Sequence, residues 1–94
     1  MLGETVHQKK LFIAFNLDHI QTDVARGGGE YISAYSYLSG CSETASQKLI
    51  KALRGNFTQV FGEQLEYDPE RAYRQIEQLI FDDHELRIDC KLRT

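Results

Sequence analysis

The sequence predicts a mainly α-helical domain of four helices that ends in an extended C-terminal segment. Apolar residues recur at spacings of three and four through most of the chain, which is the period of an amphipathic helix. Glycines lie where these patterns stop, most clearly at the triple glycine of residues 27–29. The apolar period changes to strict alternation only near the end, over residues 85–94, which indicates an extended tail or a short strand.

Length and composition are typical of a single globular domain. The chain has 94 residues, of which 41% are hydrophobic and 27% are charged. A domain of this size buries somewhat more than about 60% of its unfolded surface, so we expect one modest core, with residues 1–8 flexible. Residues 1–10 are polar and lack the apolar centre of a signal peptide. The longest apolar run, residues 11–15, is too short for a membrane span, which takes roughly 20 residues.

The first predicted helix begins near Thr5 or Lys9 and ends at Arg26. Residues 9–15 also suit the start of a strand, because they include Phe and Ile. Gly27–Gly29 then permit backbone conformations that other residues disfavour, so we expect a glycine corner between this helix and the next. The apolar stripe of the first helix consists of Ile13, Leu17, Ile20 and Val24.

A short second helix is predicted to follow the glycines and to end at Gly40. Glu30 lies in its first turn, where a negative charge complements the helix dipole. Its apolar stripe consists of Tyr31, Ala34, Tyr35 and Leu38. Because Tyr31, Tyr35 and Tyr37 face several directions of this helix, we expect at least one exposed tyrosine that serves packing or an interface.

The third predicted helix has the most regular pattern, and we expect it to be the central packing element. Ser42 is placed to cap its start and Gly62 to terminate it. Gly55 interrupts the helix at a cost of roughly 1 kcal/mol relative to Ala. The apolar stripe consists of Ala45, Leu49, Leu53, Phe57, Val60 and Phe61.

The fourth predicted helix begins at Asp68-Pro69-Glu70, which combines an N-cap, a proline in the first position and a first-turn acid. Its stripe consists of Ala72, Ile76, Leu79 and Ile80. The tail then alternates apolar and polar residues, with Leu86, Ile88, Cys90 and Leu92 on one side. A lone strand needs a partner, which can lie within the chain, in a second copy or in a segment that this chain lacks. The alternation suggests one mechanism of interaction, pairing of the exposed edge with another chain by strand addition.

The charge balance argues against a nucleic-acid-binding protein. The formal net charge is −3, whereas phosphate binding depends on clustered Lys and Arg. Lys48, Lys51 and Arg54 do align at helical spacing on the third predicted helix. We interpret them as a solvated helix face.

A polar stripe accompanies the apolar one on the first helix and offers a candidate metal site. Asn16, His19, Asp23 and Arg26 follow spacings of three and four, and Glu30 lies across the glycines. One imidazole and two carboxylates suit zinc or manganese, so His19, Asp23 and Glu30 are the candidate ligands. A hydrogen-bonded network that fixes the corner explains the same residues more simply. We therefore predict no metal and no cofactor.

Candidate nucleophiles lack the surroundings that catalysis requires. Ser39, Cys41 and Ser42 flank Gly40, where small polar residues suit a tight turn, and no base is positioned by a recognised motif. Residues 82–85, D-D-H-E, are interpreted as a solvated turn rather than a cation site. The sequence thus predicts a protein that is not an enzyme.

Three stretches carry a family resemblance. Residues 16–31 are N-L-D-H-I-Q-T-D-V-A-R-G-G-G-E-Y, residues 38–41 are L-S-G-C and residues 56–61 are N-F-T-Q-V-F. Over about residues 12–61 the chain resembles an uncharacterised bacterial family of small exported proteins, classed as a domain of unknown function. The matching positions are Asn16, Asp18, Asp23, Arg26, Gly27, Gly29, Glu30 and Cys41. Beyond Gly62 the resemblance fades.

The resemblance implies a periplasmic or otherwise exported protein, made with a signal peptide and with an upstream stretch that this chain lacks. It supplies no catalytic residues. From the residues alone, Cys41 and Cys90 can form one disulfide or remain two buried thiols. Export would favour the disulfide, which would tie the turn after the second helix to the tail.

These observations lead to two functional hypotheses. The first is a non-enzymatic interaction or structural protein of the cell envelope, whose partner is another protein or a second copy of the chain. The alternative is a small-ligand or divalent-metal-binding protein that uses the polar stripe at the glycine corner.

Overall fold

Six α-helices form the fold in a computed structural model that describes residues 2–63 and 67–90, with side chains for residues 6–63 and 67–90. They are α1 (Leu2–Arg26), α2 (Glu30–Leu38), α3 (Glu43–Gly55), α4 (Phe57–Phe61), α5 (Pro69–Asp82) and α6 (His84–Asp89). No strand occurs in these ranges, so the prediction of a mainly α fold is confirmed.

The predicted number of four helices is wrong because the third predicted helix is divided at Asn56. This residue leaves the helical conformation, with φ −124° and ψ 32°. Its side-chain amide donates a hydrogen bond of 2.8 Å to the carbonyl oxygen of Ala52. An asparagine that bonds to the preceding turn competes with the helical backbone, so α3 ends at Gly55 and α4 begins at Phe57.

The predicted C-terminal strand is also wrong, since residues 84–89 form α6. Asp83 caps this helix, and its Oδ1 accepts a hydrogen bond of 3.0 Å from the backbone N–H of Leu86. Leu86 is buried whereas Ile88 is exposed, so the apolar alternation does not correspond to one buried face. Residues 91–94, which include the last apolar position of the pattern, lie outside the described residues.

The α1 helix begins earlier than predicted, at Leu2 instead of Thr5 or Lys9. Residues 2–8 belong to it, while the flexibility of residues 1–8 stays a prediction. Residues 9–15 are helical instead of forming a strand. Asn16 introduces a kink, with φ −132° and ψ 21°, and its amide donates a hydrogen bond of 3.0 Å to the carbonyl oxygen of Phe12.

The core lies between α1, α3 and α5, with the shorter helices packed around it. The α3 helix packs against each of the other five helices, as predicted for the central packing element. Its buried residues are Ala45, Leu49, Ile50 and Leu53. The stripe predicted on α1 is buried as a whole, at Ile13, Leu17, Ile20 and Val24. None of the helices in the described ranges combines the length and the hydropathy that crossing a membrane requires.

Candidate functional site

The carboxylate of Asp23 joins α1 to the start of α2. Its Oδ2 accepts hydrogen bonds from the backbone N–H groups of Tyr31, at 2.7 Å, and Ile32, at 3.2 Å. Its Oδ1 lies 2.9 Å from Nη2 of Arg26. Asp23 is only 3% exposed, and these contacts satisfy N–H groups that lack partners within the first turn of α2. The residue therefore acts as a cap supplied by the preceding helix.

Glycines make room for this joint. A Cβ atom on Gly29 would lie 2.2 Å from Oδ1 of Asp23, which is far too close for any side chain. Gly27 has φ +99°, a conformation that side chains other than hydrogen disfavour. The backbone N–H groups of Gly27 and Gly28 both donate to the carbonyl oxygen of Asp23, at 3.0 and 2.8 Å. Asp23, Arg26, Gly27 and Gly29 thus belong to one local structure, the Asp23 joint.

The structure does not gather the candidate metal ligands around one point. The ring of His19 stacks on Tyr31, with centroids 4.3 Å apart, and both Glu30 and Asp18 are exposed. Asp23 already accepts the three hydrogen bonds of the joint. In the described ranges, no group of three or more His, Cys, Asp and Glu side chains is placed to hold a metal ion. These contacts favour the interpretation of the polar stripe as a structural network.

A buried polar cluster that the sequence analysis missed connects α1, α2 and α5. Nζ of Lys9 lies 2.7 Å from Oε2 of Glu77, and the hydroxyl of Tyr35 donates a hydrogen bond of 2.5 Å to the same oxygen. The side chain of Lys9 is 2% exposed, and its Nζ lies 5.2 Å from the ring centroid of Tyr35. Burial, followed by the negative charge of Glu77, raises the pKa of Tyr35 well above its ordinary value.

The sequence contains one signal that could have revealed this cluster. Lys9 precedes Ile13 by four residues and so continues the apolar stripe of α1 into its N-terminal half. A lysine in such a position needs a buried partner, because an isolated buried charge is costly. No periodicity in the sequence indicates which acidic residue pairs with Lys9, because Glu77 is distant in sequence and only partly buried.

Three contacts attach α6 to the start of α3, and we call them the α6 clasp. A disulfide joins Cys41 to Cys90, so neither thiol is free. Ser42 caps α3 by accepting from the N–H of Ala45, and its hydroxyl donates a hydrogen bond of 2.8 Å to Oδ2 of Asp89. The third contact is an ion-paired group on the surface, formed by Lys48, Asp83 and Glu85.

Electrostatics in the clasp favour the charged forms of its side chains. The hydrogen bond from the backbone N–H of Leu86 lowers the pKa of Asp83, and the neighbouring Lys48 acts in the same direction. The hydrogen bond to Glu85 raises the pKa of Lys48. The predicted turn of residues 82–85 therefore includes a helix cap and two partners of a lysine.

An exposed apolar patch lies on the outer side of α1, and we call it the α1 patch. It consists of Leu11, Phe15 and Tyr67, which are 42%, 79% and 58% exposed. Leu11 and Phe15 are one helical turn apart, and the hydroxyl of Tyr67 donates a hydrogen bond of 2.5 Å to the carbonyl oxygen of Ala14. Leu11 and Phe15 lie outside the buried stripe of α1, and the sequence pattern alone predicts no role for them.

A shallow groove of about 330 Å³ continues from the α1 patch between α1 and the start of α5. Leu11, Ala14, Pro69 and Tyr73 supply its apolar lining. At its edge, Nζ of Lys10 lies 3.9 Å from Oε2 of Glu70 in an exposed ion pair. The patch and groove together present aromatic and aliphatic side chains beside a charged rim.

Comparison with known proteins identifies one family. The chain matches the family described as "Protein of unknown function (DUF3015)" over residues 2–90. The match extends on both sides of residues 12–61, the range over which the sequence showed its resemblance. No curated protein and no solved structure matches the chain.

Proposed function

Because the chain belongs to the DUF3015 family of proteins of unknown function, we propose a function from its surface, namely a non-enzymatic exported domain that binds another protein chain through the α1 patch. The observation that carries this proposal is the cluster of large apolar side chains at Leu11, Phe15 and Tyr67, all exposed. Phe15 alone keeps 79% of its surface open to solvent.

The composition of the patch is typical of a protein interface. Contiguous exposed apolar surface marks interaction sites more often than isolated apolar residues do. Aromatic residues are enriched at the centres of interfaces, and polar residues surround them. Phe15 and Tyr67 supply the aromatic centre, and the ion pair of Lys10 with Glu70 supplies a charged edge.

The proposed location is the cell envelope, outside the cytoplasm. The Cys41–Cys90 disulfide supports it, because disulfides persist mainly in oxidising compartments. The family resemblance described from the sequence also implies export. Small domains gain from such a covalent link, since their cores are modest.

Photo-crosslinking in the native host tests the interaction directly. A photoreactive phenylalanine analogue replaces Phe15, and a matched variant carries it at Ser33, which is exposed on α2. We expect a crosslinked adduct from position 15 and none from position 33. Mass spectrometry of the adduct then distinguishes a different protein from a second copy of the chain.

A substitution provides the second half of this test. Phe15→Ser removes the most exposed aromatic ring of the patch without opening the core, so we expect an unchanged melting temperature and loss of the adduct when a crosslinker is placed at Leu11. Absence of any adduct from positions 11 and 15 in the unsubstituted chain would contradict the proposal.

A further inference from the structure

A wide groove of about 790 Å³ runs beside α3. Four polar residues of its lining, Thr44, Gln47, Lys51 and Arg54, follow spacings of three, four and three and so share one face of the helix. Ten residues of α-helix rise about 15 Å. That length matches four or five residues of an extended peptide, at about 3.3 Å each.

Two cations in this groove have no partner within the described ranges. Lys51 and Arg54 are exposed and make no ion pair or hydrogen bond with a described residue. Nη1 of Arg54 lies 3.7 Å from the position that a Cβ of Gly27 would occupy, so the guanidinium lies over the glycine backbone at the groove edge. Lys48, by contrast, is paired with Asp83 and Glu85.

The positive character of the groove is local. The whole chain has a formal net charge of −3, so a basic surface here is not a consequence of overall composition. Glu85 is the one acidic residue of the groove lining, and it is held by Lys48. An acidic ligand would therefore meet Lys51 and Arg54 without first displacing an ion pair.

A second cavity, of about 390 Å³, adjoins the groove and shares Thr44, Lys48 and Glu85 with it. Its lining includes the apolar side chains of Ala45, Leu86 and Ile88, together with His84 and with Asp89, whose carboxylate accepts a hydrogen bond from Ser42. The two cavities form one elongated surface with a cationic end and a mainly apolar end, which we call the α3 groove.

We propose that the α3 groove binds an extended acidic peptide segment of a partner protein. Two carboxylates of the segment pair with Lys51 and Arg54, and an apolar side chain of the same segment enters the cavity beside Ile88. The planar guanidinium of Arg54 matches a carboxylate with two parallel hydrogen bonds. The amide of Gln47 can both donate to and accept from a peptide backbone.

The form of the groove favours a peptide over other anions. A single inorganic phosphate would fill a small part of 790 Å³ and would leave the apolar end empty. A nucleic acid would extend beyond the groove, where the acidic balance of the chain repels phosphates. An acidic segment with one apolar residue uses both ends of the surface.

Fluorescence anisotropy with synthetic peptides tests the proposal on the intact chain. The probe is a labelled hexapeptide of sequence D-E-D-E-G-L, and its comparators carry lysine at every acidic position or serine in place of leucine. We expect the probe to bind at least about tenfold more tightly than the lysine peptide, and less tightly as salt screens the charges. The serine peptide should bind more weakly than the probe.

Charge reversal at the groove provides the matched variants. We expect Lys51→Glu with Arg54→Glu to weaken binding of the probe at least about tenfold, because like charges then face each other. Arg74→Glu is the control, since Arg74 is exposed on α5 and also makes no ion pair with a described residue. Binding by that variant should equal binding by the unsubstituted chain. Thermal melts confirm that each variant folds, and Lys51→Gln with Arg54→Gln replaces the reversal if it does not.

Three results would overturn the proposal. They are equal binding of the acidic and lysine peptides, equal weakening by Arg74→Glu and by the groove variants, and complete displacement of the probe by inorganic phosphate at constant ionic strength. None of these results would affect the crosslinks from Phe15, so failure here is distinguishable from failure of the α1 patch proposal.

Discussion

The buried Lys9–Tyr35–Glu77 cluster and the α6 clasp solve the same problem, the attachment of one helix to another, by different means. In the cluster, a lysine that is 2% exposed and a tyrosine hydroxyl share one carboxylate oxygen. In the clasp, exposed ion pairs around Lys48 accompany a covalent bond between Cys41 and Cys90. Water competes with the charged contacts of the clasp, whereas in the cluster it reaches only the partly exposed Glu77.

The difference indicates where each region is vulnerable. Breaking a buried ion pair leaves an uncompensated charge, so the cluster depends on every one of its members. Exposed ion pairs contribute little, so the six-residue α6 depends on its covalent link. The comparison therefore predicts a severe response to single substitutions in the cluster and a severe response to reduction in the clasp.

The largest expected effect is removal of the disulfide. Cys41→Ser with Cys90→Ser removes the bond that closes a loop between residues 49 positions apart. For a loop of this length, the chain-entropy model predicts a loss of about 4 kcal/mol in the free energy of unfolding. Urea unfolding followed by circular dichroism measures it. Reduction of the unsubstituted chain should give the same loss, and a loss below about 1 kcal/mol would show that α6 is held without the covalent bond.

The next effect is expected from Glu77→Gln in the cluster. The substitution leaves the ammonium of Lys9 buried without a counter-charge, so we expect a loss of about 3 kcal/mol in urea unfolding. The control is Glu70→Gln, which breaks the exposed pair with Lys10 and should cost about 0 to 1 kcal/mol.

A triple variant sharpens this prediction. Lys9→Met, Tyr35→Phe and Glu77→Leu together remove every polar partner, so most of the stability lost in Glu77→Gln should return. Equal losses from Glu77→Gln and Glu70→Gln would contradict the distinction between buried and exposed pairs.

The Asp23 joint is an intermediate case, with a buried carboxylate and an exposed Arg26. In Gly29→Ala the new Cβ displaces the carboxylate and breaks its bonds to Tyr31 and Ile32, so we expect a loss of about 2 kcal/mol in thermal or urea unfolding. Gly55→Ala is the matched control, because a Cβ there meets no atom within 4 Å. It should stabilise the chain by about 0.5 to 1 kcal/mol, and similar losses from both variants would contradict the steric account.

The two regions should also differ in how their stability depends on pH. The pKa of Tyr35 is raised in the folded chain. The contribution of Tyr35 to the free energy of unfolding is therefore present below the ordinary value of 10.0 and is lost as the pH rises beyond it. The pKa of Asp83 is lowered, so its contribution is present above 3.8 and is lost as the pH falls through the folded-state value. The free energy of unfolding measured across pH should therefore fall in alkali, mainly through Tyr35 of the cluster, and in acid through Asp83 of the clasp. Lys48 of the clasp adds a smaller alkaline loss, because its pKa is also raised but its side chain is exposed.

Single substitutions show which residue causes the loss of stability in alkali and which causes the loss in acid. Tyr35→Phe should reduce the alkaline slope. Tyr73, whose pKa is raised by burial and by Glu77, and Lys48, whose pKa is raised by its hydrogen bond to Glu85, should supply part of what remains. Asp83→Asn should reduce the acidic slope and leave the part of the alkaline slope that Tyr35 supplies unchanged. If Tyr35→Phe left the alkaline slope unchanged, the cluster would not be the cause of the loss of stability in alkali.

Sequence patterns predicted the parts of the fold that depend on local periodicity. The stripe from Ile13 to Val24 is buried, and Ser42 and Asp68 cap their helices as expected. Two predictions failed for different reasons. At Asn56 one residue interrupts the helical period of the apolar residues. The α6 helix has only six residues, too few for a helical apolar period to be distinguished from the alternation of a strand. No local pattern identified these places.

The candidate sites were predicted less completely, because they depend on partners distant in sequence. Asp23 was recognised as part of a polar stripe, but its role as a cap for α2 depends on how Tyr31 folds back. Glu77 lies 68 positions after Lys9, so no spacing rule could have paired them. The α1 patch could not be predicted from the sequence, because only the structure shows that Phe15 is exposed whereas neighbouring apolar residues are buried.

The central claim, that the Cys41–Cys90 disulfide closes the domain as the proposed export requires, is tested most directly by thiol trapping in the native host. Cells are quenched in acid, the protein is alkylated with and without prior reduction, and its intact mass is measured. The account predicts no alkylation before reduction and two alkylated thiols after it. Two alkylated thiols without reduction would contradict it.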